Sequence, residues 1–492
     1  MDDTIRVPAP GEAVETVDVR PVDRREQRSL YAAQAHIHPK LARGRYRRLK
    51  WAVMAVTLAI YYLTPWLRWD RGPNAPDQAV LVDFPGRRFY FFFIEIWPQE
   101  VYYLTGLLIL AAVALFLITS LAGRVWCGYT CPQTVWTDLF IAIERLVEGD
   151  RNARIRLDRA PWGATKIARK LVKHAAWLVI AVATGGAWVF YFADAPTLAG
   201  RLVHLDAPSV AYVFIAILAS TTYLLGGLAR EQVCIYMCPW PRIQGAMLDE
   251  ESLVVTYHPE RGEPRGPHRQ GESWDGRGHC IDCNQCVAVC PMGIDIRNGQ
   301  QLECITCALC IDACDEVMDK VGLPRGLIAY DTLANMERRS QGGKAELRLV
   351  RPRTVFYIAI IAVVGLAMLT ALVTRPTLGL NVLHDRNPLY VRLADGSIRD
   401  GYTVKVLNKR HDERRYRLSV NGPPGIRIAV VGQDEPGGAL VVPPDTLRSF
   451  RVFVTAPRGV LKERTVPLSF TITDLADGST AGEDTSLHGP AR

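Results

Sequence analysis

Apolar positions gather in five uncharged blocks fenced by charge, at residues 51–67, 101–123, 175–193, 207–229 and 354–374. Their lengths are 17, 23, 19, 23 and 21 residues, against the ~20 that a helix rising 1.5 Å per residue needs to cross ~30 Å of hydrocarbon. A soluble core seldom supplies five helices so long and so clean, so the pattern predicts an integral membrane protein with five transmembrane helices. From Leu378 the texture changes to period-two alternation: Tyr402-Val404-Val406, Tyr416-Leu418-Val420, Ile426-Ile428-Val430, Phe450-Val452-Val454 and Val466-Leu468-Phe470-Ile472. Turn residues separate these runs at 421–424, 436–438 and 443–444. That rhythm predicts a β-sandwich of roughly 100 residues. His384 and His411 look isolated in it, with solvated or structural roles, and no catalytic constellation is visible.

Composition adds little until charge is placed along the chain. The 492 residues are 49% hydrophobic and 22% charged, with 58 Lys+Arg against 50 Asp+Glu. The bases cluster before the first block (Arg43, Arg45, Arg47, Arg48, Lys50) and between the second and third (Arg145 to Lys170), whereas the loop between the third and fourth has only Arg201. Positive-inside bias accounts for them better than nucleic-acid binding does. It predicts a cytoplasmic N-terminal segment (1–50), a four-helix membrane region (51–229), a cytoplasmic region (230–353), a fifth crossing (354–374) and a C-terminal domain (375–492) on the far side. Residues 84–97, aromatic but broken by Arg87, Arg88 and Glu95, fit an interfacial element on the outer face. No secretory signal is expected, because no apolar core precedes Trp51.

Eight of the twelve cysteines lie within 35 residues, in the two runs Cys280-x2-Cys283-x2-Cys286-x3-Cys290-Pro291 and Cys304-x2-Cys307-x2-Cys310-x3-Cys314. Three thiolates so close wrap a compact cluster, and in two-cluster ferredoxins the fourth Cys of each run ligates the other cluster. The spacing therefore predicts a bacterial-ferredoxin-type module, at about 272–325, with two [4Fe–4S] clusters. One would take Cys280, Cys283, Cys286 and Cys314, the other Cys304, Cys307, Cys310 and Cys290. Zinc sites more often use two C-x2-C pairs on a longer spacer. Asp315 stands where the first run has Pro291, a difference expected to touch the turn rather than ligation.

The other four cysteines form a second repeat, Cys127-Gly-Tyr-Thr-Cys131-Pro132 and Cys234-Ile-Tyr-Met-Cys238-Pro239, after the second and fourth apolar blocks. A spacing of four suits one helical face. Proline, however, biases the preceding residue away from the α region and favours the first helical position. The better reading puts Cys131 at the N-cap of an amphipathic helix over 133–147, where the helix dipole favours thiolate. A small buried thiol packed as a hydrophobe is the plainer alternative. Soft thiolates select Cu(I), zinc or iron–sulfur species, so the four thiols could bind copper, hold another iron centre or act as a redox dithiol. They are the candidate catalytic residues.

On these residues the chain resembles the CcoG/FixG/RdxA family of cbb3-type cytochrome c oxidase accessory proteins. The matching stretches are Gly44 to Trp51, Cys127 to Thr137, Glu148 to Arg151, Arg261 to Gly266 and the ferredoxin block through Met318. The resemblance implies a bacterial inner-membrane protein with a periplasmic immunoglobulin-like domain that reduces Cu(II) to Cu(I) for the oxidase's copper centre. Copper would be substrate or transient ligand at Cys127, Cys131, Cys234 and Cys238, with oxidase subunits or copper chaperones as partners and a homodimer as one assembly option. Two other functions compete: a quinol-linked electron-transfer subunit of the NapH/NosR type, and a non-enzymatic assembly scaffold. The electron donor has no counterpart in the sequence, which lacks a dinucleotide or flavin fingerprint.

Overall fold

The computed structural model describes residues 16–19, 21, 36–73, 75–269, 271–432, 439–461 and 463–490. It divides into two units, one of Met1–Leu67 with Ala79–Met368 and one of Arg68–Gln78 with Leu369–Arg492.

Four helices in the described residues are long and apolar enough to cross a membrane: Pro98–Ala122, Ala164–Val189, Ser209–Ala229 and Pro352–Val373. They correspond to the second to fifth predicted blocks. Little of their apolar surface is covered by protein, as Leu107, Leu108, Val179, Phe214, Val363 and Leu366 are all exposed. That is the distribution expected where lipid is the solvent. The first block differs. Its helix, Arg45–Leu63, spends its opening turns on the basic residues and gives way to a 3-10 turn, Thr64–Trp66, at Pro65. The uncharged helical part, from Trp51, spans only about 20 Å at 1.5 Å per residue. The third helix instead starts eleven residues earlier than its uncharged block, at Ala164. Its early cations are paired: Lys170 with Asp158 (2.7 Å) and Glu148 (3.0 Å), and Lys173 with Glu148 (3.0 Å).

Residues 84–97 form most of a small antiparallel sheet, Val80–Asp83, Arg88–Phe91 and Ile94–Ile96 in that order. In chain order the cysteine-rich module falls between the helices Ser209–Ala229 and Pro352–Val373. Its entry strand Val254–Tyr257 pairs antiparallel with its exit strand Ile328–Asp331, Val254 opposite Asp331. The module is thus closed by its own ends, and wider than 272–325. Its helix Leu309–Val321 carries Asp312, whose carboxylate accepts the backbone N–H groups of Tyr46 (3.2 Å) and Arg47 (2.7 Å). Gly44 is the N-cap of that first helix, and a Cβ on it would sit 2.3 Å from the Asp312 carboxyl carbon. Here the module supplies the capping acceptor that the chain's own glycine cannot. Arg47 then pairs with buried Asp138 at 2.9 Å.

The second unit contains two antiparallel sheets. In one, Arg427–Val430, Thr446–Ala456, Ile398–Asn408 and Leu378–His384 lie in that order with Val391–Arg392 on the edge. The other orders Leu440–Val442, Arg414–Asn421, Thr465–Asp474 and Thr480–His488. The inward positions of the alternating runs form the core: Tyr402, Val404, Val406, Val452, Val454, Phe470 and Ile472 are fully buried. All five predicted runs are strands, and four further strands complete the sandwich. The turn expected at 436–438 lies outside the described residues. His384 and His411 are not isolated: His384 Nε2 lies 3.1 Å from Asp400 and His411 Nδ1 2.6 Å from Asp445. Both carboxylates come from residues distant in sequence, which strand pairing alone brings near.

Candidate metal centre

The two four-cysteine runs repeat in backbone as well as in spacing. Asp282 and Asn284 flank Cys283 with φ of 54° and 57°, and Thr306 and Ala308 flank Cys307 with 57° and 61°. None is glycine, and a β-branched Thr at positive φ is an outlier that persists only where surroundings over-determine it. What the conformation achieves is inward-pointing amides. Backbone N–H groups of Gln285 and Cys283 reach the Cys283 sulfur, that of Thr306 reaches Cys304, and those of Ile294 and Met292 reach Cys290. Such a nest stabilises negative charge on sulfur. Burial opposes it, pushing Cys290 up to about 12 and Cys304 up to about 11. Thiols buried this deeply, none in a disulfide, fit a group that exchanges protons for metal.

Tertiary structure places the fourth cysteine of each run with the other run. Cys290, Cys304, Cys307 and Cys310 line one cavity whose other walls include Cys286, Met292, Ile294, Ile305 and Leu309. Cys314 interacts electrostatically with Cys286, Cys283 and Cys280. The helix that carries Cys286 spans only Gln285–Ala288 and stops before Cys290-Pro291, whereas Leu309–Val321 runs on through Cys314-Asp315. The difference touches the turn, as expected: without a proline the chain after Cys314 continues as helix instead of breaking. Asp315 lies within the helix and accepts the Gly326 N–H at 2.9 Å.

Arg297, which spacing alone does not single out, fastens the first loop. Its guanidinium donates to Asp282 (2.5 Å), Asn284 (2.7 Å) and both oxygens of Asp295 (2.8 and 2.7 Å). It thus holds both left-handed residues around Cys283. Replacing Arg297 with Ala should release that loop and deplete the cluster bound through Cys280, Cys283 and Cys286. Electron paramagnetic resonance (EPR) of reduced protein checks this; two intact signals would show the clamp to be dispensable.

The C-x3-C-P motifs superimpose in local geometry. Four residues before the first Cys, the membrane helix ends at Gly123 (φ 60°, ψ −133°) in one motif and Arg230 (φ 43°, ψ −114°) in the other. Each second cysteine donates its N–H five residues back, Cys131 to Trp126 (2.9 Å) and Cys238 to Val233 (2.8 Å). Each then precedes a proline at a helix start, Pro132 as the first helical residue and Pro239 as an N-cap. Cys131 is the N-cap of Pro132–Glu148, as expected, and Cys238 leads into Trp240–Met247. The four thiols converge: Cys234 interacts electrostatically with Cys131, Cys127 and Cys238, and Cys127 with Cys131 and Cys238. Burial pushes Cys127 up to about 11 and Cys234 up to about 12. The Cys127 thiol donates to Gln244 at 3.1 Å.

Residues after Cys131-Pro132 lock the loops together. Gln133 donates to the carbonyls of Leu225 (2.8 Å) and Arg230 (3.1 Å), Thr134 to that of Cys127 (2.6 Å), and Trp136 to Thr184 Oγ1 (3.0 Å). Two turns beyond Trp136 on the same helix, buried Glu144 faces Arg154 (2.9 Å), Arg230 (3.1 Å) and Lys173 (3.4 Å). Burial works against that carboxylate, yet Arg230 foremost among the three cations holds its pKa down to about 2. Arg230 is the residue that sequence reading missed. Aligning the two motifs sets it opposite Gly123, a positive-φ position where a bulky cation needs a compensating role.

This thiol site abuts the second cluster pocket. Cys127, Cys307, Val289 and Leu309 share one apolar cluster, with Cys234, Cys290, Cys304 and Cys310 packed against it. Gly128 makes the approach possible, since a Cβ there would lie 2.7 Å from the Ile305 carbonyl oxygen. Tyr129 donates to the Cys307 carbonyl at 3.1 Å, and Arg124 to that of Cys304 at 2.9 Å.

Comparison with known proteins agrees with this geometry. Residues 229–333 match a 4Fe-4S dicluster domain, 104–148 a 4Fe-4S binding domain, and 368–490 the "IG-like fold at C-terminal of FixG". "Nitrogen fixation protein FixG" of Rhizobium meliloti is 57% identical over 465 residues, which cover 88% of this chain and 89% of that one. "Protein RdxA" of Cereibacter sphaeroides is 53% identical over 449 residues, covering 91% and 93%. "Protein RdxB" of the same organism is 54% identical over 468 residues, covering 94% and 98%. At this identity over most of its length, the chain belongs to the FixG/CcoG/RdxA family of iron–sulfur, membrane-associated proteins.

Proposed function

We propose that the protein reduces Cu(II) to Cu(I) at the four C-x3-C-P thiols, for assembly of the copper centre of a cbb3-type cytochrome c oxidase. The observation that carries this reading is the packing of Cys127 and Cys234, one from each motif, against Cys290, Cys304, Cys307 and Cys310 in a single apolar cluster. Two [4Fe–4S] clusters would be held by Cys280, Cys283, Cys286 and Cys314 and by Cys304, Cys307, Cys310 and Cys290, where they supply one-electron transfer. Each Cu(II) gains one electron, drawn ultimately from a one-electron donor on the cytoplasmic side. The thiols contribute the thermodynamic bias, because soft sulfur prefers Cu(I) over Cu(II). Gln244 orients Cys127, and half-buried Cys131, Cys234 and Cys238 leave the site open to an incoming ion.

The test uses full-length protein reduced with dithionite, freed of excess reductant, and given Cu(II) beside a Cu(I)-specific chromogenic chelator. Cys131→Ser and Cys238→Ser should lower Cu(I) formation at least about tenfold, the scale on which even outer-shell partners of metals act, with both clusters intact. Full activity in both variants would overturn the assignment. A second reading has its own support. The 4Fe-4S binding domain match over 104–148 contains only Cys127 and Cys131, so a third iron centre would draw Cys234 and Cys238 from the other loop. Iron analysis separates the two: about eight atoms per chain for two clusters against about twelve for three.

For topology, we propose five crossings in a bacterial inner membrane, with the short first helix spanning through its 3-10 extension and local bilayer thinning. The Lys/Arg asymmetry of the loops supports a cytoplasmic cysteine-rich module and a periplasmic sandwich. A reporter fused after Gly266 should then read cytoplasmic and one after Gly422 periplasmic. Both on one side would refute the odd count.

A further inference from the structure

Within the sandwich, His384, Asp400 and His488 come together from three strands. His384 ends Leu378–His384, Asp400 lies early in Ile398–Asn408, and His488 ends Thr480–His488 in the opposite sheet. Their ligand atoms all lie within 4.8 Å of one another. The imidazoles approach with centroids 4.6 Å apart. Asp400 is fully buried, and its Oδ2 carries all its recorded contacts: His384 Nε2 at 3.1 Å, the His488 backbone N–H at 2.6 Å and the Tyr402 hydroxyl at 3.5 Å. Asp400 Oδ1 and His488 Nδ1, both shut off from solvent, have no hydrogen-bond partner.

A structural Asp–His pair explains Oδ2 and His384. It leaves a bare, buried carboxylate oxygen and a bare imidazole nitrogen, which native interiors rarely tolerate. A cation satisfies both at once. We propose that His384, Asp400 and His488 form a binding site for a divalent transition-metal ion, bridging the two sheets at one end of the sandwich. Two imidazoles and a carboxylate suit a borderline ion, and among first-row divalent metals Cu(II) binds such donors most tightly. Ligands about 2.0–2.2 Å from a shared ion stand roughly 3–4 Å apart, so small rotamer shifts close the set. His384, 13% exposed at its side chain, provides the way in. Tyr402, which also donates to the Ser486 carbonyl at 2.8 Å, packs edge-on to His384 and fixes its ring. The site contains no thiol and does not depend on copper reduction elsewhere in the chain.

The experiment titrates Cu(II) into full-length, untagged protein with its clusters oxidised, without reductant, and follows EPR. Copper trapped as Cu(I) by thiols is silent there. The wild type should show about one Cu(II) per chain, with hyperfine splitting from two imidazole nitrogens, displaced by excess Zn(II). His384→Gln and His488→Gln should each remove one nitrogen from that pattern and weaken binding. Both replace partly exposed side chains, so the sandwich should still fold, which protease resistance checks. Asp400→Asn, which keeps the shape of a buried residue, should weaken binding without changing the nitrogen count. Absence of the two-nitrogen signal in wild type, or its persistence in both histidine variants, would overturn the site.

Discussion

Glu144→Gln should destabilise the protein by about 3–5 kcal/mol, the usual cost of removing one partner from a buried charge pair. The variant leaves Arg154, Arg230 and Lys173 facing a neutral amide, and of these Arg230 and Arg154 are all but buried. Their retreat would pull Arg230 from the helix that follows Cys131, opening the thiol site. The expected readouts are a lower melting temperature in detergent and weaker Cu(I) formation together. The pH dependence follows from sign. Glu144 is held near 2 when folded, against ~4.3 for an unperturbed Glu. Its contribution is therefore fully present above ~4.3 and is lost as pH falls towards 2. Between pH 8 and about 5 the gap between variant and wild type should stay constant. A gap that changed across that window would show that another group controls the coupling.

Cys290→Ser is the second large effect, because the cluster that Cys290 is proposed to bind has its other proposed ligands in a different run. Cys290 lines a cavity with Cys304, Cys307 and Cys310, so the variant should lose that cluster and keep the one of Cys280, Cys283 and Cys286. Iron should fall from about eight to about four atoms per chain. Cys314→Ser should do the reverse. Sparing of the Cys304 cluster in Cys290→Ser would refute crossed ligation. Because the surviving cluster is then the one farther from the C-x3-C-P thiols in the packing, Cys290→Ser should also cost more copper reduction than Cys314→Ser.

Membrane blocks and sandwich strands were legible in the chain because each depends on a local period. An uncharged run of about twenty residues or a strict alternation carries its own burial pattern. Where neighbours intervene, that legibility fails. The apolar helix Ala164–Val189 begins at Ala164 because Glu148 and Asp158, on other elements, neutralise its early lysines. The strand Leu440–Val442 is too short to announce itself and exists through its pairing with Arg414–Asn421. His384 looked isolated for the same reason: Asp400 and His488 reach it only across paired strands and opposed sheets.

The cysteine runs carry their cofactor class in their spacing, since three thiols within seven residues can wrap only a compact cluster. The prolines after Cys131 and Cys238 likewise determine where helices start, because a fixed φ and a missing N–H act on the nearest residues alone. Other features required the folded chain. Tertiary structure alone decided that the two C-x3-C-P loops meet, that Gln133 and Glu144 grip Arg230, and that Gly128 lets them settle against Ile305 and Cys307. Spacing is a local constraint and survives in one dimension. Convergence of loops more than a hundred residues apart is set by helix packing and buried charge, whose partners no local pattern names.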